Sequence, residues 1–257
     1  MNKIKILITM FTKAFVTWKK GYGEDIALKV CSILRDLDIQ YGFYEPRGCD
    51  LAIMIGGDGT LLRNQSFLRC PIFGINPGRS IGFYMAAGRK DFEKGLRKIL
   101  TGSEGRDYFV KKFLRLETSI NGTEIPFLAL NEVLVSPIYA RRILDSELKI
   151  KRERTRESNS GILVYTPSGS HAYAKSAGAK PLKDEKRFGV VAIAPYSGRL
   201  KRGEITLSEG TVTVRCLNDE GEVCVDGQDH QVTRLVKGDV VKVRKSSSPA
   251  HIITFRS

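Results

Sequence analysis

Nowhere in the 257 residues does an apolar stretch approach the ~20 needed to carry a helix across a bilayer, so no membrane partner is expected. The opening Met1-Asn2-Lys3-Ile4-Lys5 leads into a short strand-like segment instead of a signal sequence, which makes the cytoplasm the expected location. Cysteine is sparse and unpatterned. Cys31, Cys49, Cys70, Cys216 and Cys224 are odd in number and lack CxxC spacing, which excludes a disulfide framework and a zinc site and leaves reduced, mostly buried thiols. Repeats and low-complexity tracts are also absent. What is in excess is positive charge: 42 Lys and Arg stand against 28 Asp and Glu, a net +14 that draws the chain toward something anionic. Nucleic acid, nucleotides and polyphosphate share that chemistry. No recognition motif and no aromatics interleaved with the charge are visible, so nucleic acid is not expected as a partner. The densest basic stretch, residues 149–156 (KIKRERTR), alternates and would put Arg152, Arg154 and Arg156 on one face of a strand. That face is either solvated or turned toward a ligand.

Within this background one tract carries chemistry: Ile53-Met54-Ile55-Gly56-Gly57-Asp58-Gly59-Thr60. The apolar run reads as a buried strand. The glycines after it let the backbone turn tightly and bring bare N–H groups close to a ligand. Asp58 is presented at the carboxyl end of that strand, where ligands bind in open parallel α/β sheets. Taken by itself, Gly-Asp-Gly is also compatible with a plain strand-to-helix turn.

The first hundred residues alternate between strand-like and helix-like segments, as βαβ units require. Strands are expected over 5–8, 41–44, 51–55 and 71–75, and helices over 24–37, 60–68 and 91–100, the first burying Ile26, Val30, Ile33, Leu34 and Leu37. The helix from Thr60 would face the glycine turn with its unsatisfied amides, which favours an anion there. After about residue 105 short strands separated by turns take over, over 108–120, 128–136, 147–154, 161–165, 190–194, 211–217, 222–226, 239–244 and 251–255, with one helix near 169–177. The inferred fold is an α/β open-sheet domain, residues 1–104, followed by a β-rich domain, residues 105–257, with the ligand cleft between them.

Five ordered tracts resemble the ATP-dependent NAD kinases: Gly56-Gly57-Asp58-Gly59-Thr60-Leu61-Leu62; Gly74-Ile75-Asn76-Pro77-Gly78 leading to Ile81-Gly82-Phe83; Leu130-Asn131-Glu132-Val133; Tyr165-Thr166-Pro167-Ser168-Gly169-Ser170-His171-Ala172-Tyr173-Ala174-Lys175-Ser176-Ala177-Gly178; and Val225-Asp226-Gly227-Gln228. The first is shared with diacylglycerol and sphingosine kinases, whereas the fourth is much more specific. The resemblance spans residues 56–228 and implies the two-domain NAD kinase-like fold.

It also implies a reaction: transfer of the γ-phosphate of ATP, or of a phosphate from polyphosphate, to the 2′-hydroxyl of the adenosine ribose of NAD. Mg²⁺ or another divalent cation would accompany the donor, with no metal site of the protein's own. Asp58 is nominated as general base, because a hydroxyl attacking a phosphorus must lose its proton. It can alternatively accept turn N–H bonds or bind the Mg²⁺. Gly56, Gly57, Gly59 and Thr60, with Arg79, would form the phosphate and nucleotide loop. Asn131 and Glu132 look like the pair that holds ribose hydroxyls, since a diol can donate to an amide and a carboxylate together; Glu132 could otherwise be a surface strand residue. Ser168, His171, Ala172, Tyr173 and Ser176 would line the dinucleotide site, with Tyr173 beside the adenine and Phe83 over the substrate. Each has a bland counterpart: Thr166 or Ser168 as a helix cap, Tyr173 and Phe83 as packing aromatics, and Asp226-Gly227-Gln228 as a hairpin turn.

Several positions depart from the family's usual pattern. Ser160-Gly161 stands where Asp-Gly is usual, His171 where Thr is usual, and Ala179 where a second glycine is usual, while 79–81 carries Arg-Ser-Ile where two residues are usual. The family also commonly has a further terminal segment packing back on the first domain, and commonly forms homodimers or homotetramers. These changes cluster on the dinucleotide side and open a second reading, a kinase of the same fold acting on another alcohol such as a sugar, polyol or lipid headgroup. A third is a non-catalytic nucleotide or nucleic-acid binder.

Overall fold

The computed structural model describes residues 10–78, 82–200 and 206–255. The chain divides into two compact units, one running to Lys112 and including the segment from Ala250, the other Phe113–Pro249.

The first unit is built on β1 (Lys13–Trp18), β2 (Gln40–Gly42), β3 (Leu51–Ile55), β4 (Ile72–Asn76), β5 (Ala87–Gly88) and β6 (Phe109–Phe113), with α1 (Glu24–Asp36), α2 (Asp58–Asn64) and α3 (Phe92–Thr101). The sheet order is β2-β1-β3-β4, then the last strand Ala250–Thr254, then β6, with β5 added beside β4. β1, β3 and β4 are parallel neighbours. Every residue of β3 and β4 is buried, as a parallel sheet covered on both faces demands, and this is why Leu51–Ile55 is an unbroken apolar run. Ile26, Val30, Ile33 and Leu34 of α1 and Phe92, Leu96 and Ile99 of α3 join that core. Parallel strands end on one side, so the turns after Trp18, Ile55 and Asn76 gather at a single edge.

The second unit contains β7 (Leu116–Ile120), β8 (Thr123–Glu124), β9 (Glu132–Ser136), β10 (Leu144–Ile150), β11 (Glu153–Asn159), β12 (Gly161–Tyr165), α4 (Tyr173–Ser176), β13 (Phe188–Ile193), β14 (Thr206–Ser208), β15 (Val212–Cys216), β16 (Glu220–Val225), β17 (Val232–Val236) and β18 (Val240–Lys245). Two sheets, β11-β10-β15-β18-β7-β8 and β14-β13-β12-β9-β16-β17, share one core of inward residues such as Leu148, Val214, Val133 and Val164. This is sandwich packing. β12 is buried on both faces: Ile162 and Val164 enter the shared core, while Leu163 and Tyr165 pack with Ala174, Ala177, Ala179 and Val191 on the other side.

The α/β-then-β architecture matches the sequence expectation, with four corrections. The strand Lys13–Trp18 was not anticipated, and the one expected at 5–8 lies outside the described residues. The basic stretch is a hairpin and not one strand, because Lys151 takes a left-handed φ of 56° and turns the chain between β10 and β11. Arg154 and Arg156 therefore lie on β11, and Arg152 belongs to the turn. The expected strand 108–120 is two, of which β6 joins the first unit's sheet. Finally, the last strand does not extend the β-rich domain. Ile252 pairs with Ile72, so the first unit is assembled from both ends of the chain, and a terminal segment does return to it.

All five cysteines are free thiols, three of them buried. Among the described residues no helix is long and apolar enough to cross a membrane.

Candidate active site

In the first unit, β3 delivers Gly56 and Gly57, and Gly57 caps α2, whose first residue is Asp58. The helix begins two residues earlier than the sequence reading placed it. The Asp58 carboxylate accepts N–H bonds from Phe83 (2.8 Å to Oδ2) and Tyr84 (3.0 Å to Oδ1). Both oxygens retain a lone pair, and the residue is half-buried. The loop glycines divide by role. A Cβ on Gly56 would sit 2.2 Å from Thr60 Oγ1, so that glycine is required by Thr60. Among the described residues a Cβ on Gly57 or Gly59 would meet nothing within 4 Å, and neither has a positive φ, so no described contact demands glycine there. Phe83 is 52% exposed, with its ring edge-on to Tyr84. Arg79 lies outside the described residues.

These turns line a cleft of about 1580 Å³ in the first unit, walled by Lys19, Tyr22, Glu24, Asp25, Arg89, Lys90 and Asp91 around Gly56, Gly57, Gly78 and Gly88. Arg89 Nε donates to Pro77 O (3.0 Å), and its guanidinium is paired with Asp25. Lys19, Arg89 and Lys90 were missed by sequence reasoning, because the strand that places Lys19 was missed and Arg89 and Lys90 sit in a loop without periodic signal.

In the second unit the Asn-Glu, Thr-Pro-Ser-Gly-Ser and Asp-Gly tracts converge. Asp226 is 3% exposed, and its carboxylate accepts the N–H groups of Leu130 (2.9 Å), Asn131 (2.7 Å) and Glu132 (3.1 Å). Its own N–H donates to Glu132 O at 2.9 Å. Asp226 and Gly227 both adopt positive φ, so the tract is a turn, as expected, but one whose side chain organises β9's entry. From the other side, Thr166 Oγ1 donates to Leu130 O (2.6 Å), Thr166 N to Asn131 O (2.8 Å), and Ser168 Oγ to Leu130 O (3.1 Å). Thr166 Oγ1 also accepts the Gly169 N–H at 2.9 Å. A Cβ on Gly169 would lie 2.1 Å from Asn131 O, which only glycine avoids.

Asn131 and Glu132 are therefore buried, and Glu132 is not a surface strand residue. The Tyr173 N–H donates to the Glu132 carboxyl, while Oε2 is buried without a partner. Burial, and secondarily the charge of Asp226, push the Glu132 carboxyl up to about 8. His171 ends a 3₁₀ turn over Gly169–His171 and is exposed, as are Ser176 and Tyr173 (44%), while Ala172 is half-buried. The expected helix over 169–177 is thus this turn followed by the short α4. Of the departures, Ala179 has a structural cause: its methyl fills the small cluster over β12, and Gly178 alone supplies the left-handed turn.

Among the described residues no group of three or more His, Cys, Asp or Glu could hold a metal ion. Residues presented this way, a half-exposed carboxylate at a glycine turn and a buried amide-carboxyl pair, are suited to hydroxyl chemistry at phosphate.

Comparison with known proteins agrees. The ATP-NAD kinase N-terminal domain matches residues 27–104, and the ATP-NAD kinase C-terminal domain matches residues 130–255. NAD kinase of Thermoplasma acidophilum is 32% identical over 212 residues, covering 80% of this chain and 74% of its own. NAD kinase of Buchnera aphidicola is 35% identical over 240 residues, covering 88% and 80%. A solved NAD kinase from Archaeoglobus fulgidus, in complex with ATP, is similar at a TM-score of 0.74 and 28% identity over 95% of this chain and 94% of that one. Yeast NADH kinase, at 17% identity and a TM-score of 0.81, shares the fold. The architecture is that of a two-domain NAD kinase-like phosphotransferase. The chain belongs to the ATP-NAD kinase family.

Proposed function

We propose that the protein is an NAD kinase that phosphorylates the 2′-hydroxyl of the adenosine ribose of NAD. The observation that carries this reading is Asp58, fixed by two amides yet keeping acceptor capacity beside two glycines that no contact among the described residues requires. In the proposed step the ribose oxygen attacks the γ-phosphorus, the bond from that phosphorus to its bridging oxygen breaks, and ADP leaves with the electron pair. The hydroxyl proton passes to Asp58. Gly57 and Gly59 let phosphate oxygens approach the backbone. Asn131 and Glu132 hold ribose hydroxyls, and the orphaned Glu132 Oε2 supports this, because a buried carboxyl oxygen without a partner calls for one. Ser168, His171, Ala172, Tyr173 and Ser176 line the dinucleotide site.

ATP as donor is supported by the ATP complex of the Archaeoglobus relative. In this reading Mg²⁺ accompanies the donor phosphates. The proposal places the enzyme in the cytoplasm as a homodimer or homotetramer, which light scattering and cell fractionation check.

The test is incubation with ATP, Mg²⁺ and NAD, with NADP read by an NADP-specific dehydrogenase and Asp58→Asn as control. NADP from wild type alone supports the reading. A folded wild type that makes none with any donor or divalent cation overturns it. A second reading, a kinase for another alcohol, draws on Ser160 and on the exposed His171; a screen of acceptor alcohols in which none exceeds NAD would remove it.

A further inference from the structure

The basic stretch 149–156 plays no part in the kinase site, and the sheet register enlarges it. Along β10, β15 and β18 the buried Leu148, Val214 and Val241 face the shared core, while their neighbours in the chain lie on the outer face of the sheet. On that outer face Lys149 stands opposite Arg154 on one side and Thr213 on the other; Thr213 stands opposite Lys242, and Lys242 opposite Ser119. The next row holds Arg156, Glu147 and Arg215. Arg215 and Lys242 are distant from the basic stretch in the chain, and only strand pairing sets them beside it.

The acids of this face are already engaged. Glu147 pairs with Arg154 at 3.4 Å, Glu117 and Glu124 pair with Arg244, and Asp145 accepts the Ser158 hydroxyl. Among the described residues Lys149, Arg156, Arg215 and Lys242 have no carboxylate partner; Arg215 Nη1 reaches the Gly238 carbonyl at 3.4 Å. Rows two residues apart are separated by about 7 Å, and strands two apart by about 10 Å. Those spacings are comparable to the Debye length of about 8–10 Å near physiological salt, so the four charges act together on an anion outside the sheet.

The chemistry of the face selects the partner. Apart from the half-buried Val240, the outward side chains of these strands are charged or carry hydroxyls. A lipid surface is gripped by apolar and aromatic side chains that enter the headgroup boundary, and a protein partner by apolar or aromatic anchors at the centre of the interface. Neither is present here. A nucleic-acid backbone asks for cations and hydroxyl donors, which the four basic residues, Thr213 and Ser119 supply. With no aromatic on the face, nothing stacks on a base.

We propose that the outer face of the β11-β10-β15-β18-β7 sheet binds nucleic acid through its phosphate backbone, without regard to sequence, with Lys149, Arg156, Arg215 and Lys242 each meeting a phosphate. This surface is independent of the kinase reading. The lack of a recognition motif, which argued against nucleic acid from the sequence, fits a surface that reads no bases.

The test is fluorescence anisotropy of labelled mixed-sequence RNA, single-stranded and duplex, titrated with the full chain from about 50 to about 200 mM salt. Wild type is compared with a variant combining Lys149→Gln, Arg156→Gln, Arg215→Gln and Lys242→Gln. A control with the same loss of charge combines Arg47→Gln, Lys94→Gln, Arg97→Gln and Lys98→Gln, all exposed in the first unit. Wild type should bind with a log-log salt slope of about −3 to −4. The sheet variant should lose at least roughly tenfold in affinity and most of that slope, with NADP formation unchanged, while the control stays within about threefold of wild type. Each single change should flatten the slope by about one unit, which keeps the test valid if the fourfold change lowers the melting temperature. Lys149→Arg with Lys242→Arg should retain binding. A wild type that binds no RNA at the lowest salt, equal losses in the sheet variant and the control, or phosphatidylserine vesicles bound as tightly as RNA would each overturn the proposal.

Discussion

Asp58 and Asp226 each precede a glycine, and each is gripped by backbone N–H groups, yet the two sites are opposite in kind. Asp226 is buried and saturated, with three amides converging on its carboxylate from the segment it must hold. Asp58 receives two amides, remains half-buried and keeps acceptor capacity, in a turn where two glycines leave room among the described residues. Hydrogen bonding to the backbone therefore does not separate a structural carboxylate from a reactive one. What separates them is the acceptor capacity left over and the space around it.

The sharpest way to break this contrast is Asp58→Asn. It keeps the size but sets an NH2 against one of the two N–H donors, so stability should fall by about 1–2 kcal/mol, with the fold retained, while NADP formation should fall by about 10²–10⁴ as expected for a lost general base. A variant equally active would demote Asp58 to the rank of Asp226. The reciprocal change, Asp226→Ala, strands three buried N–H groups and should cost about 3 kcal/mol or more of unfolding free energy, read by urea denaturation.

A glycine pair sharpens the comparison next. Gly169→Ala forces a methyl into the Asn131 carbonyl and should destabilise by about 1–3 kcal/mol. Gly57→Ala meets no atom of the described residues and should leave stability within about 0.5 kcal/mol while impairing donor use, seen as a raised KM.

A pH dependence sets the buried Glu132 apart from the half-exposed Asp58. Folding raises the Glu132 carboxyl from 4.5 to about 8, so between those values the folded chain keeps a proton that the unfolded chain has released. Its contribution is intact below about pH 4.5, weakens as pH rises through that window and levels off above about 8. Glu132→Gln should flatten this part of the stability profile, which thermal melts across pH 5–9 would show.

Much of this was readable in advance where chemistry and sequence are adjacent. The unbroken apolar run of β3 followed by Gly56-Gly57-Asp58 announced a buried parallel strand delivering a carboxylate, and the spacing of Ile26, Val30, Ile33 and Leu34 announced α1. Asp226 was less legible because its partners, Leu130 to Glu132, are ninety-odd residues away in the chain. The buried state of Glu132 likewise depends on the Thr166–Gly169 turn closing over it. Lys151 concealed a hairpin, since a lysine in left-handed conformation carries no local signal. Lys19 and Lys90 come together only through the sheet edge, which periodicity does not reveal.

The strand Ala250–Thr254 sits between β4 and β6, so the first unit's sheet has a gap until that strand, which follows the whole second unit in the chain, is made. On the ribosome, the unit that is begun before the sandwich is completed after it, once the sandwich has had its own opportunity to fold. Until then the open flanks of β4 and β6 face the cell unpaired, and that interval is when the nascent chain is most exposed to unwanted strand pairing and has most to gain from a chaperone.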